Sequence, residues 1–154
     1  MKLAHNVEVS VFIKPEDDGQ KTVDKLCSLF PFDIKDEKLK KSELFYDISS
    51  VKSFGDRTIQ IHKVVIRKSS LLNQFLKHLM HSLSQEQKEL IARQLDSRVD
   101  DNGNFFMRLD IEKILQDQFW ICDEGSCFHI RINLASFPKT KERALEVARQ
   151  VLAL

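Results

Sequence analysis

The hydrophobic pattern changes period several times along the chain, and each change marks an element. Val7-Glu-Val-Ser-Val-Phe-Ile13 alternates strictly, which predicts a half-buried strand with Val7, Val9, Val11 and Ile13 on the core side. Asp17-Asp-Gly19 then opens a helix whose apolar positions Val23, Leu26, Cys27 and Phe30 follow i, i+3, i+4, i+7 spacing, and Pro31 ends it. Lys38 to Ser49 and Arg57 to Lys68 read as two strands joined around Phe54-Gly-Asp-Arg57. In the second of these, Ile59, Ile61 and Val65 fall on one side, with Gln60, His62 and Val64 on the other.

Ser69 is the expected cap of a strongly periodic helix carrying Leu72, Phe75, Leu76, Leu79, Met80 and Leu83 on one stripe. Ser84 with Gln87 three residues on is a capping-box signal for the next helix, with Leu90, Ile91 and Leu95. Asp100-Asp-Asn-Gly103 is a turn, because Asn and Gly tolerate positive φ. A strand over Asn104 to Asp110 follows, then one or two helical turns within Ile111 to Gln118. Phe119 to Cys122 and Cys127 to Ala135 are expected to form a hairpin, and Thr140 to Leu152 a final helix with Ala144, Val147, Ala148, Val151 and Leu152 along one side.

The predicted order is β-α-β-β-α-α-β-β-β-α. Strands arrive in pairs, which favours an α+β class: a single layer of largely antiparallel mixed sheet with helices packed mainly on one face. The other face is then left to solvent or a partner. At 154 residues, with no repeat or low-complexity linker, the expectation is one domain over 1–154. No apolar run approaches the ~20 residues that span a bilayer, and the first residues lack the apolar stretch of a signal peptide. A cytoplasmic location without membrane attachment is expected.

Three cysteines, Cys27, Cys122 and Cys127, form no CxxC pair, so free thiols are favoured. Cys122 and Cys127 nevertheless flank the turn Asp123 to Ser126, a spacing that permits a cross-strand bridge. Lys and Arg total 24 against 23 Asp and Glu, a balance unlike that of a strongly non-specific nucleic-acid binder. Attraction to an acidic partner must come from local clusters. Two exist: Lys52, Arg57, Lys63, Arg67 and Lys68, and Arg131, Lys139, Lys141 and Arg143.

Alternation sharpens this. Phe105, Met107 and Leu109 take the apolar side of their strand, and Asn104, Phe106, Arg108 and Asp110 the other. Phe128, Ile130, Ile132 and Leu134 oppose His129, Arg131 and Asn133, while Ser10, Phe12 and Lys14 oppose the first strand's valines. Cations attract phosphates, and aromatic rings or Arg planes stack unpaired bases, so such a face suits RNA. The plain alternative is a solvated face kept soluble by Arg and His. His78 and His81, i and i+3 on one helix, lack further ligands at metal spacing. His62 and His129 are not surrounded by a nucleophile motif, and the scattered glycines build no phosphate loop, so neither cofactor nor catalytic residues are assigned.

Several stretches together resemble a family of small archaeal proteins described as RNA-binding and predicted to be exosome-associated. They are Val7-Glu-Val-Ser-Val-Phe, Leu29-Phe-Pro-Phe-Asp33, Asp96-Ser-Arg-Val-Asp-Asp-Asn-Gly-Asn-Phe-Phe-Met-Arg108, and Ile130-Arg-Ile-Asn-Leu-Ala-Ser-Phe-Pro138 with Lys141 to Arg149 following. That resemblance implies a fold like that of the large-subunit ribosomal protein that contacts the small ribosomal RNA of that subunit. It also implies a non-enzymatic RNA-binding role, with an RNA-processing complex or ribosomal machinery as partner. The alternative is a protein-interaction or oligomerisation subunit with no direct nucleic-acid role. Strand alternation and the basic clusters, not the family, supply the candidate RNA-binding residues: Arg108, Arg131, His129, Phe106, Lys139, Lys141, Arg143 and Lys14.

Overall fold

The structure is a computed structural model that describes residues 2–41 and 43–154. In chain order its elements are β1 (Ala4–Ile13), α1 (Gly19–Ser28), α2 (Glu37–Lys40), β2 (Leu44–Lys52), β3 (Thr58–Ile66), α3 (Ser69–Ser82) and α4 (Gln85–Arg93). There follow α5 (Leu95–Arg98), β4 (Asn104–Asp110), α6 (Ile111–Leu115), β5 (Cys127–Leu134) and α7 (Lys141–Leu152). The strands form one open sheet in the order β2-β3-β1-β5-β4. Each neighbouring pair is antiparallel, so the mixed sheet expected from the sequence is an antiparallel one.

One sheet face is the core face. Val7, Val9 and Val11 of β1 are fully buried, as are Phe105 and Leu109 of β4 and Phe128 and Ile132 of β5. Against them pack Leu72, Phe75, Leu76, Leu79 and Met80 of α3 and Ala144, Val147, Ala148 and Val151 of α7. Each fully buried Leu, Val or Phe contributes about 1.5–3 kcal/mol by leaving water. This helix layer on one side leaves the opposite face of the sheet open.

Several caps form as their sequence signals require. Asp18 accepts from the Lys21 N–H at 3.1 Å, and Ser84 Oγ accepts from the Gln87 N–H at 3.2 Å. Asp110 starts α6 and Thr140 starts α7 in the same manner, each accepting from the backbone N–H three residues on. Ser69 is not a cap: it is the first residue of α3, and Lys68 holds the cap position without a side-chain bond.

Two expected strands are corrected. The region from Lys38 does not begin a strand, because Asp36 accepts from the Lys38 N–H at 2.9 Å and nucleates the one-turn α2. Only Leu39 is apolar over Lys38 to Lys41, too little to hold a buried strand. The strand starts at Leu44 and runs on to Lys52; Ser42 lies outside the described residues. Nor do Phe119 to Cys122 make a hairpin with β5. Both edges of β5 are already paired, with β1 and with β4. The segment runs instead along the outer edge of β4, where Ile121 bridges Leu109 and the Cys122 N–H donates to the Arg108 carbonyl at 3.0 Å. Gln87 fixes it there by accepting from the Ile121 N–H at 2.8 Å.

Candidate nucleic-acid interface

Strand registers place the open-face side chains in rows across the sheet. One row reads Phe45, Val65, Glu8, Arg131, Phe106 from β2 to β4, and the next reads Asp47, Lys63, Ser10, His129, Arg108. On either side of these lie Ser49, Ile61 and Phe12, and Asn6, Asn133 and Asn104. Arg108, Arg131, His129 and Phe106, chosen from alternation, are therefore brought together on adjoining strands.

They line a depression of about 380 Å³ with Glu8, Ser10 and Phe12. Phe106 and Phe12 are 42% and 47% exposed, which leaves ring surface for a base to cover. The His129 ring lies 5.7 Å from that of Phe12. Burial, and then the nearby Arg108 guanidinium, hold the His129 pKa below its usual value, so at neutral pH it is an uncharged stacking and hydrogen-bonding group.

The cations are not bare. Glu8 stands between Lys63 and Arg131, at 3.6 Å from Lys63 Nζ and 3.4 Å from Arg131 Nη2. Arg131 Nε is buried without a hydrogen-bond partner. Arg108 Nη1 donates to the Asp123 carbonyl at 3.0 Å. An arriving phosphate would compete with these protein acceptors, which fits the chain's near-neutral balance.

The remaining predicted residues sit elsewhere. Lys14 lies past the end of β1 beside Thr58 and Gln60. Lys139 is exposed in the loop before α7, Lys141 pairs with Asp96 at 3.7 Å, and Arg143 pairs with Glu146 at 2.5 Å. All three belong to the α7 approach rather than the open face. The first basic cluster also divides. Lys63 lies on the open face, Arg67 sits 5.3 Å over the Phe45 ring, Arg57 pairs with Glu16, and Lys68 immediately precedes α3.

Glu8 is not among the residues read from the sequence, although the alternation that yields Ser10 and Phe12 also places it on the open face. His62 is a core residue with both ring nitrogens engaged, Nδ1 with Tyr46 Oη at 2.7 Å and Nε2 with Gln60 Oε1 at 3.3 Å. Burial pushes the Tyr46 pKa up to about 12, so the phenol keeps its proton and donates a hydrogen bond to the imidazole. His78 Nε2 meets the Ser28 carbonyl at 3.3 Å, and no metal-ligating cluster occurs among the described residues. All three cysteines are free thiols. No described helix is long and apolar enough to cross a membrane.

An antiparallel sheet with helices behind it can offer the cations and rings on its front to phosphates and unpaired bases. Residues 6–134 match a family model described as RNA binding, and the chain belongs to that family. It is 25% identical over 149 residues to the RNA-binding protein PAB1135 of Pyrococcus abyssi, covering 97% of this chain and 94% of that one. Among solved structures, protein AF2318 from Archaeglobus fulgidus superposes with a TM-score of 0.80 at 24% identity, over 97% of this chain and 99% of that chain. Mth689 from Methanothermobacter thermautotrophicus superposes at 0.76 and 21%, over 98% and 99%. Both are described as DUF54 proteins, and both share the fold.

Proposed function

We propose that the chain binds RNA without chemical turnover through the β1-β5-β4 part of its open face, within RNA-processing or ribosomal machinery. The observation that carries this is the adjoining pair of rows in which Arg131 sits beside Phe106 and His129 beside Arg108, each pair in register across β5 and β4. Guanidinium groups hold phosphates, and Phe106, Phe12 and His129 offer surfaces for unstacked bases. The family description and the name of the Pyrococcus relative support the class of ligand. A gel-shift titration with structured and single-stranded RNA, wild type beside Arg108→Ala/Arg131→Ala, tests it. Loss of salt-dependent binding in the double variant is expected; equal binding by both proteins would remove these residues from the interface.

One observation favours a second reading, a protein-interaction subunit. β2 is an edge strand of the sheet, and it exposes Phe45, Ile48 and Val51 at 49%, 57% and 50%. Unblunted edges pair readily with other chains. A lysate pulldown with and without ribonuclease separates the two readings: partners that survive digestion support protein docking.

A further inference from the structure

The outer edge of β4 is covered twice, by Val99 against Phe105 and by Ile121 against Leu109. Between the two bridges opens a cleft of about 370 Å³, lined by Gln94, Ser97, Arg98, Arg108, Cys122 and Asp123 together with Phe106 and Met107. That volume lies at the small end of the range for ligand pockets. Two guanidinium groups from different elements converge on it.

Arg98 is held firmly. Its Nε and Nη2 donate to Gln94 Oε1 at 3.0 and 2.5 Å, and its side chain is 11% exposed. Nη2 also lies 3.4 Å from Asp123 Oδ1, and Arg108 Nη1 donates to the Asp123 carbonyl at 3.0 Å. Both cations therefore meet one residue of the 123–126 turn, whose carboxylate side chain is 81% exposed. Burying a guanidinium is costly unless it is paired, and here its charge partner is a solvent-facing carboxylate that can leave. Cys122 adds no competing charge, because burial first and the neighbouring Cys127 second push its thiol up to about 12.

We infer that this cleft takes one phosphate group of a bound RNA strand, with the Asp123 carboxylate as the anion it displaces. The site deepens the RNA-binding reading and rests on it for the strand, though not for the phosphate. Phe106, Met107 and Arg108 line both this cleft and the open-face depression, so the two adjoin along β4. A base covering Phe106 would leave its neighbouring phosphate at the β4 edge, where planar guanidinium groups match phosphate oxygens. The phosphate could be an internal diester or a strand end; the chemistry is shared.

The experiment uses the full chain labelled with nitrogen-15, following the Arg98 and Arg108 Nε–H resonances during a titration with inorganic phosphate. Both are expected to move and saturate. Asp123→Asn should tighten phosphate binding about five-fold and Arg98→Gln weaken it about ten-fold, as gain or loss of a charge-assisted bond implies. Since Arg98 is largely buried, its variant is checked by thermal melting, and the exposed Asp123→Asn keeps the test intact should Arg98→Gln fail to fold. Resonances that stay still to tens of millimolar phosphate, or an Asp123→Asn protein with unchanged phosphate affinity, would overturn the inference.

The same proteins are then titrated with RNA oligonucleotides with and without a 5′-phosphate. A gain from the 5′-phosphate that disappears in Arg98→Gln assigns the cleft to a strand end. Equal binding of both oligonucleotides, weakened in both by Arg98→Gln, assigns it to an internal diester. RNA binding that leaves both arginine resonances unmoved overturns the cleft but keeps the RNA reading. Phosphate binding without any RNA binding sinks the RNA reading and leaves the cleft an anion site.

Discussion

On the β1-β5-β4 side of the open face, Glu8, Arg131, His129, Arg108 and Phe106 stand in adjoining rows; on the β2-β3 side the same rows continue as Val65, Phe45, Lys63 and Asp47, flanked by Ile61 and Ser49. Both halves are antiparallel, and the difference that bears on binding lies in the side chains. One half concentrates guanidinium and imidazole groups around partly exposed rings. The other carries one acid, Asp47, beside Lys63, the aliphatic Val65 and Ile61, and Phe45 under Arg67, and it ends in the edge strand β2. A half-solvated sheet needs neither pattern for stability, since either would keep its core face buried. On the reading proposed above, the first half would meet nucleic acid and the second would be left to protein contact.

The largest effect expected from breaking this contrast is on RNA affinity. Arg108→Ala/Arg131→Ala should weaken binding about 100-fold, roughly 1.4 kcal/mol per guanidinium, and flatten its salt dependence. Ile61→Ser/Val65→Ser on the other half should change it by less than about three-fold, as expected of groups that carry no charge to phosphate. Filter binding at two salt concentrations reads both, and equal losses would erase the distinction. Next in size is a gain: Glu8→Gln frees Lys63 and Arg131 from their shared carboxylate, and should tighten binding about five-fold in the same assay.

A smaller effect is expected on stability with pH. His62 and His129 both have pKa values lowered by burial first, with Lys35 adding to the effect at His62 and Arg108 at His129. The unfolded chain takes up protons near pH ~6.5 while the folded chain resists them. Stability is therefore full above that value and lost as pH falls from it through the lower folded pKa values. Melting temperature should drop between about pH 7.5 and 5.5, and His62→Gln should remove part of the drop. A flat profile in the wild type would contradict the burial of both rings. Smallest of all, Lys139→Ala/Lys141→Ala/Arg143→Ala should weaken RNA binding less than about two-fold, because these cations lie off the open face and two of them are paired with acids. A ten-fold loss would extend the interface around the α7 approach.

Strand period carried most of the readable information. The valines of β1, the Phe105-Met107-Leu109 side of β4 and the Ser84 cap follow from rules that need no tertiary context. Alternation likewise separated Arg108, His129 and Arg131 from the core. The failures have a common cause in neighbours distant in sequence. Phe119 to Cys122 looks like a strand and contributes one bridge to β4, because β5 is already paired on both sides. Sequence alone left open which side of β3 is buried; register with β1 turns His62, Val64 and Ile66 inward and Ile59, Ile61 and Val65 outward. Arg98 belongs to the cleft only because α5 packs beside β4.

Glu8 has a consequence for selectivity. Unlike the solvent-facing Asp123, Glu8 is held between two cations with 22% of its side chain exposed, and on the proposed surface it would be a standing competitor at high effective concentration. A ligand offering a lone phosphate would gain little by evicting it. One that delivers stacking on Phe106 or Phe12 along with phosphate contacts would offset the loss, so on the proposed interface the threshold would discriminate against nucleotides and rigid duplex in favour of strands with splayed bases.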